Sequence, residues 1–177
     1  LWARVAGRGS GGARMAEAFA APPTRAPGPL LTAALALFFA LQLALPLRRL
    51  AYPGETAWTE EGFRFAWQVM LVEKTGMVTF RVRDPASGRE WLVDPEPRLS
   101  AMQAKQMAFQ PDMILEMAQV IAREEAARGR AVEVRADAFV AYNGRPNARL
   151  IDPDVDLARE RDTLAPKPWI LPAPPRR

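Results

Sequence analysis

The 177-residue chain contains no cysteine and no histidine. The first absence excludes a disulfide framework and a thiolate zinc site. The second removes the usual general base near neutral pH, the commonest metal ligand, and every Ser-His-Asp or Cys-His triad. Acid–base chemistry is left to Lys, Tyr and carboxylates, and only two tyrosines are present. Excess basic charge is also missing from most of the chain, despite the net +4. Residues 1–50 hold six Arg against one Glu, whereas residues 51–177 hold 18 basic against 19 acidic groups. A nucleic-acid binder carries its basic patch on the folded domain. Here the basicity flanks one hydrophobic run, the pattern of a membrane segment. Nucleic acid is therefore not an expected partner, and a lipid bilayer is.

That run is "PLLTAALALFFALQLALPL", Pro29 to Leu47. It carries no charge, and only Thr32 and Gln42 are polar. Its length at about 1.5 Å per residue, roughly 28 Å, nearly matches a hydrocarbon core of about 30 Å. A soluble amphipathic helix would show a polar face, and this run has none. A signal-peptide core is the rival, but the run is long for one and Arg48-Arg49 stop it abruptly. A transmembrane helix over 29–47 is expected, preceded by a flexible Arg/Ala/Pro/Gly-rich segment over 1–28. Arg4, Arg8, Arg14 and Arg25 outnumber Arg48 and Arg49, which places residues 51–177 on the extracytoplasmic side, most simply of a bacterial inner membrane. The first residue, Leu1, suggests a piece of a longer reading frame. Translation from Met15 would instead give a short signal-anchor protein.

Residues 51–164 are expected to form an exposed α+β domain. In "FRFAWQVML" apolar residues alternate from Phe63 to Leu71, a strand period. Glu73–Gly76 supplies a turn. "MVTFRVR" resumes with Val78, Phe80 and Val82 on one face, "DPASG" turns again, and Glu90–Val93 completes a β-meander. Ser100 caps a first helix carrying Met102, Met107 and Phe109. Pro111 opens a second, whose Met113, Ile114, Met117, Val120 and Ile121 follow the 3.6-residue period until Gly129. Met-rich stripes of this kind are more often core than cofactor pocket. "VEVRADAFVAY" is another strand, and Asn143-Gly144 is the strongest hairpin signal in the chain, with Arg149–Ile151 returning. The Pro-rich end, 165–177, is expected to run extended over the surface.

Asp152, Asp154 and Asp156 fall at alternate positions, as at the start of a calcium loop. Such a loop needs Gly at its sixth position and Glu at its twelfth, where this chain has Leu157 and Thr163. No metal site is assigned. The carboxylates instead accept backbone N–H groups in a rigid turn or pair with Arg145, Arg149 or Arg159.

Taken in order behind an apolar span, "AWTEEGFRFAWQVMLVEKTG", "AYNGRPNARLIDPDVDLA" and "PWILP" resemble the vitamin K-dependent γ-carboxylase-like family, whose bacterial members are called HTTM-domain proteins. The resemblance covers about residues 30–172 and is most specific at the aromatic and NGR…DPDVDLA segments. It implies the C-terminal portion of a multi-helix membrane enzyme with reduced vitamin K or a related quinol as cofactor and, for partners, upstream membrane helices and a Glu-containing protein substrate. In the animal enzyme, oxygenation of the quinol generates the base that removes a γ-proton from Glu before carbon dioxide adds. No ordinary side chain is basic enough for that proton, so the oxidised cofactor supplies the basicity. The family's catalytic Lys lies among earlier membrane helices. Lys74, Lys105 and Lys167 do not occupy that position, and no catalytic residue is assigned here.

The resemblance further implies substrate handling by the segment from Trp58 to Lys74. Trp58, Phe63 and Trp67 would wall a dry pocket, while Arg64 or Lys74 would pair with a carboxylate. Phe63 stands where the animal pattern has Tyr, and Val72 where it has His, so quinol oxygenation is expected and carboxylation is left open. The same aromatics would serve equally as the core of the meander, though Trp58 sits in a Gly/Glu-rich loop, where function concentrates. Asn143, Gly144, Arg145, Asp152, Asp154 and Asp156 are read as structural, with Arg145 pairing Asp152 or Asp154 to close the last hairpin. The competing reading is a non-catalytic, membrane-tethered binding or assembly module.

Overall fold

The computed structural model describes residues 27–67 and 72–175. The expected flexible segment at 1–26 and part of the expected first strand, 68–71, lie outside the described residues. Two compact units divide within the first helix, between Leu41 and Gln42. That helix, α1, spans Pro29–Leu47, as its run of Leu, Ala and Phe requires. Within the first unit its apolar side chains are exposed on all sides, and it is long and apolar enough to cross a membrane. The Thr32 hydroxyl returns to the Gly28 carbonyl at 3.2 Å, so the one hydroxyl of the run is satisfied within the helix itself.

The second unit is α+β. Its sheet is fully antiparallel, in the order β2-β1-β3-β4, with β1 Lys74–Arg83, β2 Glu90–Val93, β3 Glu133–Tyr142 and β4 Ala148–Arg149. β1 and β3 pair along ten residues. Lys74, Gly76, Val78, Phe80 and Val82 stand directly opposite Tyr142, Val140, Ala138, Ala136 and Val134. Alternation puts all ten on one face, and that face is the core. Three helices accompany the sheet: α2 Thr56–Thr59, α3 Ala101–Met107 and α4 Pro111–Ala127. α4 supplies Ile114, Leu115, Met117, Ala118 and Ile121 to the core, the 3.6-residue stripe expected for a half-buried helix. Ser100 closes a full capping box with Gln103 at the start of α3.

Gly76 is what lets α3 end against the sheet. A Cβ at that core-facing position would lie 2.6 Å from the carbonyl oxygen of Ala108, closer than any side chain tolerates. The opposite face of the sheet is polar and laced with charge. Arg81 and Arg149 both pair with Asp137, at 2.9 and 3.3 Å, and Arg135 pairs with Glu133.

Three expectations are overturned. Residues 61–67 are a run of turns, not the first strand of a meander. Gly62, Phe65 and Trp67 have φ of 68°, 64° and 53°, and a left-handed backbone cannot pleat. Glu73–Gly76 is not a turn, because pairing with β3 continues to Lys74. The terminal segment is extended but not superficial. Trp169 and Ile170 are buried, Ile151 bridges to Ile170, and the Leu171 N–H donates to Leu150 at 2.9 Å.

The Asn143-Gly144 turn has positive φ at both residues, as the hairpin signal demands, and the Arg145 N–H closes it on Tyr142 at 2.9 Å. Arg145 does not reach Asp152 or Asp154. It forms a fork on Glu55, at 2.7 and 2.9 Å, donates to the Pro174 carbonyl and stacks on Tyr142. Two of the aspartates have other partners: Asp152 accepts the Asp154 N–H, and Asp156 accepts those of Val134 and Ala158 while pairing with Arg159. Asp156 thereby caps the edge of β3 where β4 has ended, and Leu157 beside it is fully buried. Arg145→Ala is therefore expected to lower the melting temperature by several degrees, and Glu55→Gln to do much of the same, with Asp154→Asn nearly silent. Thermal unfolding of the three variants checks this. A loss in Asp154→Asn equal to that in Arg145→Ala would restore the nearer partner.

Candidate functional site

The segment between α1 and β1 folds back on itself through strained backbone. The 3-10 turn Arg48–Ala51 continues directly from α1. Gly62 then packs so tightly against it that a Cβ would meet the Arg49 Cα and the Tyr52 ring at 2.9 Å. Glu60, Phe65 and Trp67 all have positive φ. Such a conformation costs roughly 1–3 kcal/mol for each non-glycine residue and persists where surrounding structure imposes it, often at sites of function.

Residues 59–65 of this segment, with Arg48, Tyr52, Asp112 at the start of α4, and Asp162, Thr163, Leu164 and Lys167, line a cavity of about 280 Å³. Arg48, Tyr52, Glu60, Phe63, Arg64 and Lys167 line it. Arg64 pairs with Asp112, Lys167 with Asp162 at 3.0 Å, and the Lys167 backbone N–H donates to Glu61 at 2.7 Å. Arg48 donates from Nη2 to the Arg64 carbonyl at 3.0 Å, yet its Nε is buried without an acceptor among the described residues. An unpartnered guanidinium N–H is a costly group to bury, and an incoming carboxylate would satisfy it in the geometry that Arg favours.

Behind the cavity lies a buried ion pair. Strand alternation turns Lys74 into the core face, where its Nζ donates to Glu60 Oε1 at 2.9 Å and to the Trp58 carbonyl at 2.8 Å. Burial pushes the Lys74 amine below its ordinary range and the Glu60 carboxyl above its own, against the attraction between them. Desolvation outweighs pairing at both ends.

Of the five residues expected at a pocket, Phe63 and Arg64 line the cavity. Lys74 is sealed behind Glu60 by its place in β1. Trp58 does not wall a pocket: it is fully buried in the core, tilted against Tyr142 at 5.8 Å, with Nε1 donating to the Leu171 carbonyl at 2.7 Å. Trp67 is exposed and lines none of the cavities described here. Sequence reasoning missed Arg48, Tyr52, Glu60 and Lys167. The one available signal was the Glu60-Glu61 pair beside Gly62, since Arg48 had been taken as a membrane stop alone.

A second cavity of about 630 Å³ is an open groove walled by Pro53, Pro166, Pro168, Ile170 and Pro172. A reduced quinone needs an apolar wall together with a base that can take its phenolic proton. The smaller cavity is lined by charged pairs, and the lysine of the groove is held by Asp162. Neither of these two cavities joins an apolar wall to an unpaired base among the described residues.

Residues 28–176 match the family described as vitamin K-dependent gamma-carboxylase, lumenal domain. No curated protein and no solved structure gives a significant match. A lumenal-domain family together with one apolar helix is consistent with a membrane protein bearing an extracytoplasmic domain.

Proposed function

The chain belongs to the family of vitamin K-dependent gamma-carboxylase lumenal domains, and from that premise we propose that it is the extracytoplasmic, substrate-handling part of a γ-carboxylase-like (HTTM) membrane protein. In this reading α1 crosses the bilayer, and the cavity lined by Arg48 receives the carboxylate of a protein Glu. The observation that carries the proposal is Arg48, whose buried Nε lacks an acceptor at a cavity lined by Tyr52 and Phe63. The acids around it are already engaged: Glu60 by Lys74, Glu61 by Lys167, Asp112 by Arg64 and Asp162 by Lys167. An arriving carboxylate thus meets the Arg48 side chain beside acids that are already engaged, instead of a field of free anions.

The chemistry of the family, oxygenation of a reduced quinone coupled to γ-proton removal from Glu, is proposed for the protein as a whole. Since neither of these two cavities joins an apolar wall to an unpaired base, no step is assigned to residues 27–175 beyond holding and orienting the carboxylate. The absence of a free base facing either of these cavities among the described residues favours a second reading, a tethered binding module without catalysis.

The test has two arms. A charge-assisted hydrogen bond is worth about 1.5–3 kcal/mol, so Arg48→Ala is expected to weaken binding of a Glu-rich peptide roughly 10- to 150-fold. A matched Gln peptide should already bind weakly to the native chain and change little in the variant. Equal affinity of native chain and variant for the Glu peptide removes the carboxylate site. In membranes holding the natural gene product, epoxide formed from reduced vitamin K selects the enzyme, and none above background selects the binding module.

A further inference from the structure

Four large apolar side chains of the second unit stand in solvent close to the exit of α1. Leu50 is 71 % exposed, Phe65 73 %, Trp67 68 % and Leu164 77 %. Three come from the segment that follows α1, and Leu164, more than ninety residues on, is brought back to it. Phe65 and Leu164 line the same cavity as Arg48, and the Tyr52 hydroxyl donates to the Leu164 carbonyl at 2.8 Å. Arg48 ties the 3-10 turn to the Arg64 carbonyl. Gly62, with no room for a Cβ, brings the Arg49 backbone against the loop that bears Phe65.

Two of the four, Phe65 and Trp67, have left-handed backbone. A bulky aromatic residue in that region is strained, and here the strain points rings outward with nothing from the described chain to cover them. Exposed apolar patches of this kind mark an interaction surface. The occupant follows from two further facts. Only Arg48 and Arg49 separate Leu50 from the last residue of α1, a step of at most about 11 Å in extended chain. Arg49 takes part in none of the ion pairs among the described residues, whereas the acids of the adjoining cavity are all engaged. Exposed aromatic rings with an unpaired arginine, placed directly at the end of an apolar helix, are what the boundary of a bilayer selects: rings at the level of the headgroups, guanidinium on phosphate.

We propose that Leu50, Phe65, Trp67 and Leu164, with Arg49, form a membrane-docking face that seats in the boundary between phosphate headgroups and acyl chains. The inference rests on the reading that α1 crosses the bilayer. It adds that the exposed domain lies on the lipid surface through its own side chains, with the mouth of the Arg48 cavity opening at that level. A carboxylate would then enter along the membrane surface and not from open solvent.

The missing cysteines make the test direct. Single-cysteine versions of the full chain accept one nitroxide label each, with no background thiol. Labels at Phe65→Cys and Leu164→Cys probe the face. Leu92→Cys and Met102→Cys, equally exposed elsewhere on the domain, serve as aqueous controls, and Ala40→Cys reports on α1. In vesicles of phosphatidylcholine with phosphatidylglycerol, collision with oxygen is compared with collision with a water-soluble nickel chelate. The expected result is a several-fold preference for oxygen at positions 65 and 164, approaching that at 40, against a preference for nickel at 92 and 102. Aqueous behaviour at 65 and 164 with a lipid-like label at 40 overturns the docking face and leaves the spanning helix standing. Aqueous behaviour at 40 overturns the spanning helix itself. Labels at 65 and 164 shielded from both reagents mean that protein covers the face, which also overturns the proposal. A measurement without new cysteines stands beside these. Brominated phospholipid should quench part of the tryptophan emission of the native chain, and Trp67→Phe should remove that part. Equal fractional quenching in the two chains counts against the proposal.

Discussion

Lys74→Met is expected to lower the unfolding free energy by about 3–5 kcal/mol, the usual consequence of stranding one partner of a buried ion pair. The amine is sealed, its side chain 1 % exposed, and it serves two acceptors at once. Its loss leaves the Glu60 carboxylate and the Trp58 carbonyl without their donor. Replacing both Lys74 and Glu60 by Met should return the stability to within about 1 kcal/mol of the native chain or above it, since well-packed apolar residues avoid the desolvation that the pair suffers. Guanidinium unfolding in detergent micelles, followed by far-UV circular dichroism, reads both. A double variant no more stable than Lys74→Met would show that burial is not the dominant cost of this pair.

The pH dependence follows from the same two groups. Glu60 has its folded-state pKa raised by burial. Its stabilising contribution is complete at low pH and is lost as pH rises through that elevated value. Lys74 has its folded-state pKa lowered by burial. Its contribution is complete at high pH and is lost as pH falls through that depressed value. The pair therefore weighs most on the fold in the interval between the two, where both groups are charged. The double Met variant should lack both slopes, the fall in stability as pH rises through the Glu60 titration and the recovery as pH rises through that of Lys74.

Trp58→Ala is the second large effect, a loss of about 3–5 kcal/mol. The side chain is fully buried between Tyr142 and the terminal segment, and its Nε1–H satisfies the Leu171 carbonyl. Trp58→Phe separates the two contributions. It keeps most of the packing and leaves that carbonyl without its donor, a cost of about 1–3 kcal/mol. Hydrogen exchange adds a local reading: protection at Leu150 and Leu171 should fall in both variants, and more steeply in Trp58→Ala. A Trp58→Ala chain that unfolds at native denaturant concentration would make the residue a lining of some site instead of a strut.

What sequence reasoning recovered, and what it missed, divides by range. α1 is present from Pro29 to Leu47 because nineteen residues with no charge and only two polar side chains leave a chain no other regular option. α4 follows from a 3.6-residue stripe, and β2 and β3 from alternation between turns. Each of these signals is local. The failures were all decided elsewhere in the chain. Lys74 looked like part of a polar turn because nothing near "EKTG" shows that Tyr142 pairs with it. The alternation from Phe63 looked like a strand, yet Gly62 and two left-handed aromatics turn that segment away from the sheet. Arg145 was assigned to the nearest acids. Asp152 is already occupied by the Asp154 N–H, and the guanidinium finds Glu55 ninety positions back. Of the cavity's lining, Phe63 and Arg64 are visible in the sequence as an aromatic beside a cation, whereas Arg48 is hidden by its plausible service as a stop signal for the span.

The burial of Trp169 and Ile170 has a consequence for biogenesis. Leu171 links to Leu150 and Trp58, and the Pro174 carbonyl receives Arg145, so a stretch synthesised after every strand it touches is the clasp of the second unit. A nascent chain cannot close this domain while that stretch is still inside the ribosome. Threaded across a membrane, the sheet would wait open on the far side with its hydrophobic face bare, a state prone to aggregation. A frameshift or nonsense codon between Arg149 and Trp169 should then leave this domain unable to close, although it would spare the helices and strands among the described residues.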